Sequence, residues 1–314
     1  MPEQVNAERK TGTRVDTISF TKEEAESWEI PGFQRDVKVN DKVREVAVQI
    51  TNDGGVIPGI ITFGVLNRQH FLIDGQQRRQ AFLLSGCMFG YADVRYYNAE
   101  SMADMSEEYV RLNRHLVNMK PDDILRGLEL SRPAMQAIRK ACAFVGYDQV
   151  RRNDRSPVVS MSAILRAWAI SEPEVPVGSS TSAADLASLL TEEDAEKLIA
   201  FLKLAYAAWG RDQEYIKLWG MVNICLCMWL YRRLVLDGHS WKTQKISKEQ
   251  FGKCLMALSA DSQYLDWLVG RHIGDRDRAP GYNRIKSIFA SRLKTDTGHK
   301  HNLPAPAWSH GGRR

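Results

Sequence analysis

Along the first hundred residues short apolar runs of strand character alternate with helical ones. Val15 to Phe20 (VDTISF) alternates and predicts a strand. Thr21, followed three residues on by Glu24, is the signature of a capping box and opens a short helix, TKEEAESW. Pro31-Gly32 marks a turn. Asn40 to Ile50 places Val43, Val46, Ala47 and Ile50 on one helical face, and Asp53-Gly-Gly ends that helix. Gly59 to Leu66 and His70 to Ile73 are β-rich, with Asn67-Arg68 as a hairpin turn between them. Gln76 to Leu84 predicts a helix closed by Gly86, and Tyr91 to Tyr97 predicts a further strand.

From Ser101 onward strand patterns almost vanish. The spacing predicts helices at 102–117, 121–130, 133–145, 161–170, 191–209, 213–236, 247–258, 261–271 and 281–294. Met221 to Tyr231 (MVNICLCMWLY) is the most apolar stretch. It is about half the length of a membrane span and is bounded by Lys217, Arg232 and Arg233, so it predicts a buried core helix. The tryptophans Trp168, Trp209, Trp219, Trp229, Trp241 and Trp267 fall mostly beside Leu, Ile and Met, as core residues do. Ser171 to Ala184 (SEPEVPVGSSTSAA) predicts a surface loop. The fold class is therefore α+β. A flexible N-terminus (1–14) leads into a small mixed domain (15–100), then an all-helical domain (101–298) and a disordered tail (299–314) rich in Gly, Pro and His.

Composition narrows the class. A chain of 314 residues, 44% hydrophobic and 26% charged, has room for one large domain or two ordinary ones, and excludes wholesale disorder and fibrous architecture. The N-terminus has no apolar secretory core, and a soluble, cytoplasmic chain without a membrane partner is expected. The five cysteines form no CxxC pair and read as small buried hydrophobes in a reducing compartment. Charge is uneven. From Leu265 onward ten Lys or Arg stand against four Asp or Glu, a surplus of six, whereas the whole chain carries +5. A basic terminus points to a polyanion partner or to a solubilising face. Within it Arg284, Lys286 and Arg292 recur beside the packing residues Ile285, Ile288, Phe289 and Leu293, an amphipathic basic helix suited to lie on a DNA backbone. The polar loop Arg151 to Arg155 is a lesser candidate for phosphate contact.

The segment richest in chemistry is Phe71 to Phe82, FLIDGQQRRQAF. A short strand runs through Asp74-Gly75 directly into a helix beginning Gln76-Gln77-Arg78. Glycine at the junction allows a backbone conformation other residues resist. The first amides of the helix lack intrahelical partners and attract anions. Arg78 stands in the first turn, where the dipole disfavours cations, unless a phosphate completes the site. The alternative is a surface elbow in which Arg78 pairs with a neighbouring carboxylate, or Asp74 caps the helix.

IDGQQR, preceded about forty residues earlier by IPGFQR, resembles the ParB/sulfiredoxin-like superfamily, and within it the DGQQR/DGQHR branch that includes the N-terminal domains of GmrSD-type and SspE-type proteins and the DndB-like proteins. Ile30 to Arg35, Val56 to Gly59 with the strand after it, Asp74 to Arg78, and Tyr109 to Asn113 carry the likeness over residues 28–130. The resemblance implies an NTP (ATP or GTP) with Mg²⁺ on the elbow, its hydrolysis, and a role in DNA transactions such as anti-phage defence or DNA modification, with a nuclease or modification enzyme as partner. It assigns Gly75, Gln76 and Gln77 to the phosphate cradle and Arg78 and Arg35 to charge clamps, beside Gln34 and Asn113. Asp74, Gln76 and Gln77 become the catalytic candidates, with Asp74 also a Mg²⁺ ligand. Two alternatives stay open: a non-enzymatic DNA-binding regulator of DndB type, and a ParB-like nuclease. The chain departs from the branch in lacking the Y-x-W stretch after FQR and any HNH constellation.

Overall fold

The computed structural model describes residues 15–34, 36–113, 119–147, 157–171, 181–236, 245–270, 279–301 and 303. The chain divides into two compact units, Met1–Arg132 and Pro133–Arg314.

The first unit is built on a four-stranded mixed sheet of β1 (Asp16–Thr21), β2 (Val56–Leu66), β3 (Gln69–Asp74) and β4 (Phe89–Asn98), in the order β1-β4-β2-β3. β1 runs antiparallel to β4, β4 parallel to β2, and β2 antiparallel to β3. The hairpin β2–β3 turns at Asn67 and Arg68, both at positive φ (50° and 67°), as a tight two-residue connection requires. Helix α1 (Lys22–Ser27) opens on the expected capping box, in which Thr21 and Glu24 exchange side-chain and backbone bonds. In α2 (Asp41–Asn52) the expected residues Val43, Ala47 and Ile50 are buried. They join Phe20, Ile57, Ile61, Phe63, Leu72, Phe82 and Val94 in one core. Helix α3 (Gln76–Ser85) ends at Gly86 in the left-handed region.

Helices α4 (Met102–Asn113) and α5 (Pro121–Leu128) fold with this sheet, so the first unit runs some thirty residues past the expected domain limit at 100. The reason is packing. Gly64 on β2 leaves room for the Met105 side chain, which would sit 2.8 Å from a Cβ at that position. Tyr97 Oη donates to Asp104 Oδ1 at 2.7 Å, and the Phe33 and Tyr109 rings meet at 5.7 Å.

Among the described residues the second unit is helical apart from a two-residue ladder, β5 (Val145–Gly146) with β6 (Val159–Ser160). Its helices are α6 (Pro133–Ala141), α7 (Met161–Ser171), α8 (Ala183–Leu189), α9 (Glu192–Trp209), α10 (Met221–Tyr231), α11 (Lys248–Ser259), α12 (Ser262–Gly270) and α13 (Ala279–Thr297). Of the loop predicted over 171–184, residues 172–180 lie outside the described residues, and α8 begins within it at Ala183. Ser182 caps it by a reciprocal bond with Asp185, a local signal hidden in a polar stretch. The helix expected over 213–236 is three pieces: a 3₁₀ segment (Gln213–Trp219), α10, and a π turn (Arg232–Leu236). Gly220, at ψ 143°, interrupts the first two. Every residue from Asn223 to Tyr231 is buried, as its all-round apolar pattern requires. Among the described residues no helix is long and apolar enough to cross a membrane. Four of the five cysteines are buried and all are free, and burial raises the Cys254 thiol to about 12. Trp168, Trp209, Trp219 and Trp229 are core residues, while Trp241 lies outside the described residues. In the expected tail, His301 and Leu303 are buried, with His301 Nε2 3.1 Å from Thr297 Oγ1.

Phe82 sits with no exposed surface between α3 and the sheet, edge-on to Phe20 at 5.0 Å. Phe82→Ala should lower stability by about 3–5 kcal/mol, read in a denaturant titration, because the rigid sheet cannot collapse onto the void.

Candidate functional site: the elbow between β3 and α3

Phe71, Leu72 and Ile73 bury the end of β3, which fixes where Asp74 emerges. The chain then turns at Gly75, φ 104° and ψ 8°, and α3 begins at once. A Cβ at Gly75 would stand 3.0 Å from Ile61 Cγ1, so conformation and space both demand glycine here. No side chain caps the first turn of α3. Its leading amides are therefore left to solvent or ligand, and the dipole favours an anion there.

Arg78 occupies the mouth of this opening. Its Nη2 donates to Asp74 Oδ2 at 2.8 Å and its Nη1 to the Pro58 carbonyl at 3.2 Å. Both side chains of the ion pair are about one quarter exposed, so the pair is reachable from solvent while its geometry is held. Asp74 therefore accepts from Arg78 one turn along rather than capping the helix. The second anchor of Arg78 was not assigned from sequence. It comes from the Val56-Ile-Pro-Gly turn: Gly59 sits at φ +72°, and a Cβ there would approach Arg78 Nη1 to 3.0 Å. Glycines at both 59 and 75 in one sequence are the signal that a side chain must pass between two backbones.

Arg79 points elsewhere. Its Nε donates to the Ala25 carbonyl at 2.6 Å and its Nη2 to that of Glu26 at 2.8 Å, closing the C-terminal turn of α1. Burial lowers its pKa, opposed by Glu26. The two adjacent arginines thus divide, one to the elbow and one to the scaffold, as the 100° step between consecutive helical positions requires.

The other expected site residues are placed unequally. Gln76 is half-buried and Gln77 exposed in the first turn of α3. Gln34 is buried and its Nε2 donates to the Leu72 carbonyl, which ties the FQR loop to the edge of β3, two residues before Asp74. A parallel bridge between Glu29 and Phe71 and a bond from Leu72 N to the Glu29 carbonyl reinforce that tie. Gln34 is thus a positioning residue. Arg35 lies outside the described residues. Asn113 Nδ2 donates to the Tyr109 carbonyl at 2.9 Å, within its own helix, as a structural anchor would.

Among the described residues no group of three or more His, Cys, Asp or Glu is placed to hold a metal ion. Asp74 offers one carboxylate. That is a fit for Mg²⁺ only in company with ligand phosphate oxygens and water, the usual way this ion is held at nucleotide sites.

The basic helix α13 is less available to DNA than its sequence suggests. Arg284 reaches Asp261 with two bonds, Nε to Oδ1 at 3.0 Å and Nη2 to Oδ2. Arg292 Nη2 lies 3.1 Å from Asp296 Oδ1. Lys286 is half-buried and makes no ion pair among the described residues. Asp261 also accepts from Tyr264 N at 2.8 Å, so Arg284 braces the start of α12 against α13. The loop Arg151 to Arg155 lies outside the described residues. No protein-family model matches the chain, and no curated protein or solved structure matches it.

Two outcomes follow. Gly75→Ala should cost about 1–3 kcal/mol of stability in a thermal or denaturant melt, while Gln77→Ala should cost less than about 0.5 kcal/mol. The hydrogen bond from Arg284 holds the Asp261 carboxyl below its ordinary pKa. A depressed carboxyl stabilises the fold above its unfolded pKa and loses that contribution as pH falls through the folded one. Melting points taken from pH 6 down to 2 should therefore fall less steeply for Asp261→Asn than for the parent chain.

Proposed function

We propose that the chain is a DGQQR-type, ParB/sulfiredoxin-like protein that binds a nucleoside triphosphate on the β3–α3 elbow and hydrolyses it in support of a DNA transaction. One observation carries the reading. An uncapped helix N-terminus, entered through a left-handed glycine, has an arginine held at its mouth by a carboxylate and a backbone carbonyl. The amides of Gly75, Gln76 and Gln77 cradle phosphate oxygens, and Arg78 supplies the positive charge. Asp74 would release Arg78 to the phosphate and would be the residue to hold a Mg²⁺ ion brought with the nucleotide. That ion supplies charge neutralisation to the polyphosphate. The amide of Gln76 or Gln77 both donates and accepts, which suits it to orient an attacking water. Gln34 keeps the FQR loop against the strand that presents Asp74, and Arg35 follows it directly in the sequence.

The DNA link rests on the motif resemblance and the basic surplus near the C-terminus. The regulator reading, in which the basic helix dominates, gains little from Arg284 and Arg292, since both already hold carboxylates.

Phosphate release from ATP, GTP, CTP and UTP, with and without Mg²⁺ and duplex DNA, tests the proposal. Arg78→Ala should weaken nucleotide binding by about 1.5–3 kcal/mol, on the order of ten- to a hundredfold, without unfolding the chain. Unchanged affinity in that variant removes the elbow as the site. Salt-sensitive DNA binding with no phosphate release from any nucleotide favours the regulator.

A further inference from the structure

The second unit contains a concave pocket of about 450 Å³ that the elbow chemistry does not use. Its lining is Lys197 from α9, Val235 and Leu236 from the π turn, and Ile246, Ser247, Lys245 and Lys248 at the entry to α11. The pocket has a backbone cause. A π turn follows α10, and Ile246 N donates to the Leu234 carbonyl at 2.9 Å. That bond draws the segment Lys245 to Lys248 against the turn. Ile246 is buried by it, while Lys245 and Lys248 stay exposed on either side. That hydrogen bond sets Ile246 and its flanking lysines beside Val235 and Leu236.

The charges do not cancel. Lys197 Nζ lies 2.8 Å from Glu193 Oε1, and that bond raises its pKa, so it remains an ammonium throughout the ordinary pH range. Lys245 and Lys248 make no ion pair among the described residues. Three lysines therefore line the pocket, and among the described residues only Lys197 is held in an ion pair. The helix end contributes less, because Ser247 already caps α11 through a reciprocal bond with Gln250.

We infer that this pocket binds a small anionic amphiphile: a carboxylate or phosphate head on the lysine rim and an apolar body on Val235, Leu236 and Ile246. The volume is in the range of small-molecule sites, roughly 300–1,000 Å³, and matches one such ligand rather than a macromolecule. A free nucleotide is a poor fit, since its sugar and base would set polar edges against three aliphatic side chains. The proposal stands apart from the NTP reading, because none of its residues belongs to the elbow.

The test is titration calorimetry on the full chain with laurate, dodecyl phosphate, uncharged dodecyl maltoside and inorganic phosphate. One-site binding of laurate or dodecyl phosphate is expected, and the preferred head tells which source of charge the rim selects. Dodecyl maltoside and inorganic phosphate should bind at least tenfold more weakly. The double substitutions Lys245→Gln with Lys248→Gln, and Lys245→Glu with Lys248→Glu, should weaken binding tenfold or more, in that order of severity. All four are exposed-site changes, so the melting temperature should stay near the parent value. Lys253→Gln, on the same helix and paired to Glu249, should leave affinity unchanged, as should Arg78→Ala. No binding of either anionic amphiphile, equal binding of the uncharged one, or indifference to both lysine pairs overturns the proposal.

Discussion

The left-handed turn at Gly75 is the constraint on which the first unit depends. Phe71, Leu72 and Ile73 of β3 are buried and α3 must start directly after Asp74 and Gly75 to bury Ala81 and Phe82, so the direction change happens in one residue. At φ 104°, and with Ile61 at van der Waals limit, only a residue without a side chain serves. The same turn leaves no capping side chain and brings Asp74 and Arg78 into register across it. Structural necessity and candidate chemistry therefore share a position. A scaffold wanting only stability would place Ser, Asp or Asn at the cap and an acidic residue in the first turn. The chain opens α1, α8, α9 and α11 with a capping box on Ser or Thr, whereas α3, like α5 and α10, has no side-chain cap.

What could be read from the sequence follows from how local each cause is. The capping box at Thr21, the apolar face of α2, the Asn67-Arg68 turn and the Gly86 stop are decided by residues within a few positions of one another, and each is found as expected. The departures have distant causes. α4 and α5 fold with the sheet because Gly64, some forty residues earlier in the chain, admits Met105. The π turn at Arg232 breaks a continuous apolar pattern that gives no warning of it. Similarly, the motif FLIDGQQRR located the elbow and separated Arg78 from Arg79 by helical geometry, but the Pro58 carbonyl and the Gln34 bond to Leu72 are contacts between segments twenty and thirty-eight residues apart. Asn113 shows the converse. Its place in a motif gave it a site role, while its amide is spent within its own helix.

Electrostatics carry the same lesson in another form. Counting charges along the chain points to the segment after Leu265, where the surplus is largest. Counting them in three dimensions discounts it, because Arg284 and Arg292 already sit on Asp261 and Asp296. A paired arginine gives little net field at a distance and would have to abandon a hydrogen-bonded partner to grip a phosphate. Lys245 and Lys248 are inconspicuous in sequence, two cations near the start of an ordinary helix. Yet among the described residues they make no ion pair and they line a pocket beside Val235, Leu236 and Ile246, and it is the unpaired cation that has affinity to offer.

Arg78 lies between these cases, and its pairing explains why it is useful rather than merely neutralised. An arginine at an uncapped helix start would repel the amide dipoles and swing into water. Asp74 and the Pro58 carbonyl hold it where a phosphate would arrive, so little ordering remains to be done on binding. The cost is that Asp74 must give up Arg78 or share it, and a carboxylate beside an incoming polyanion is repulsive. On the proposed reading a divalent cation would resolve that conflict, because it would convert Asp74 from competitor to ligand. On the proposed reading a metal-bound triphosphate should be accepted where a bare one is resisted, and the Asp74–Arg78 pair would select the charge state of the ligand.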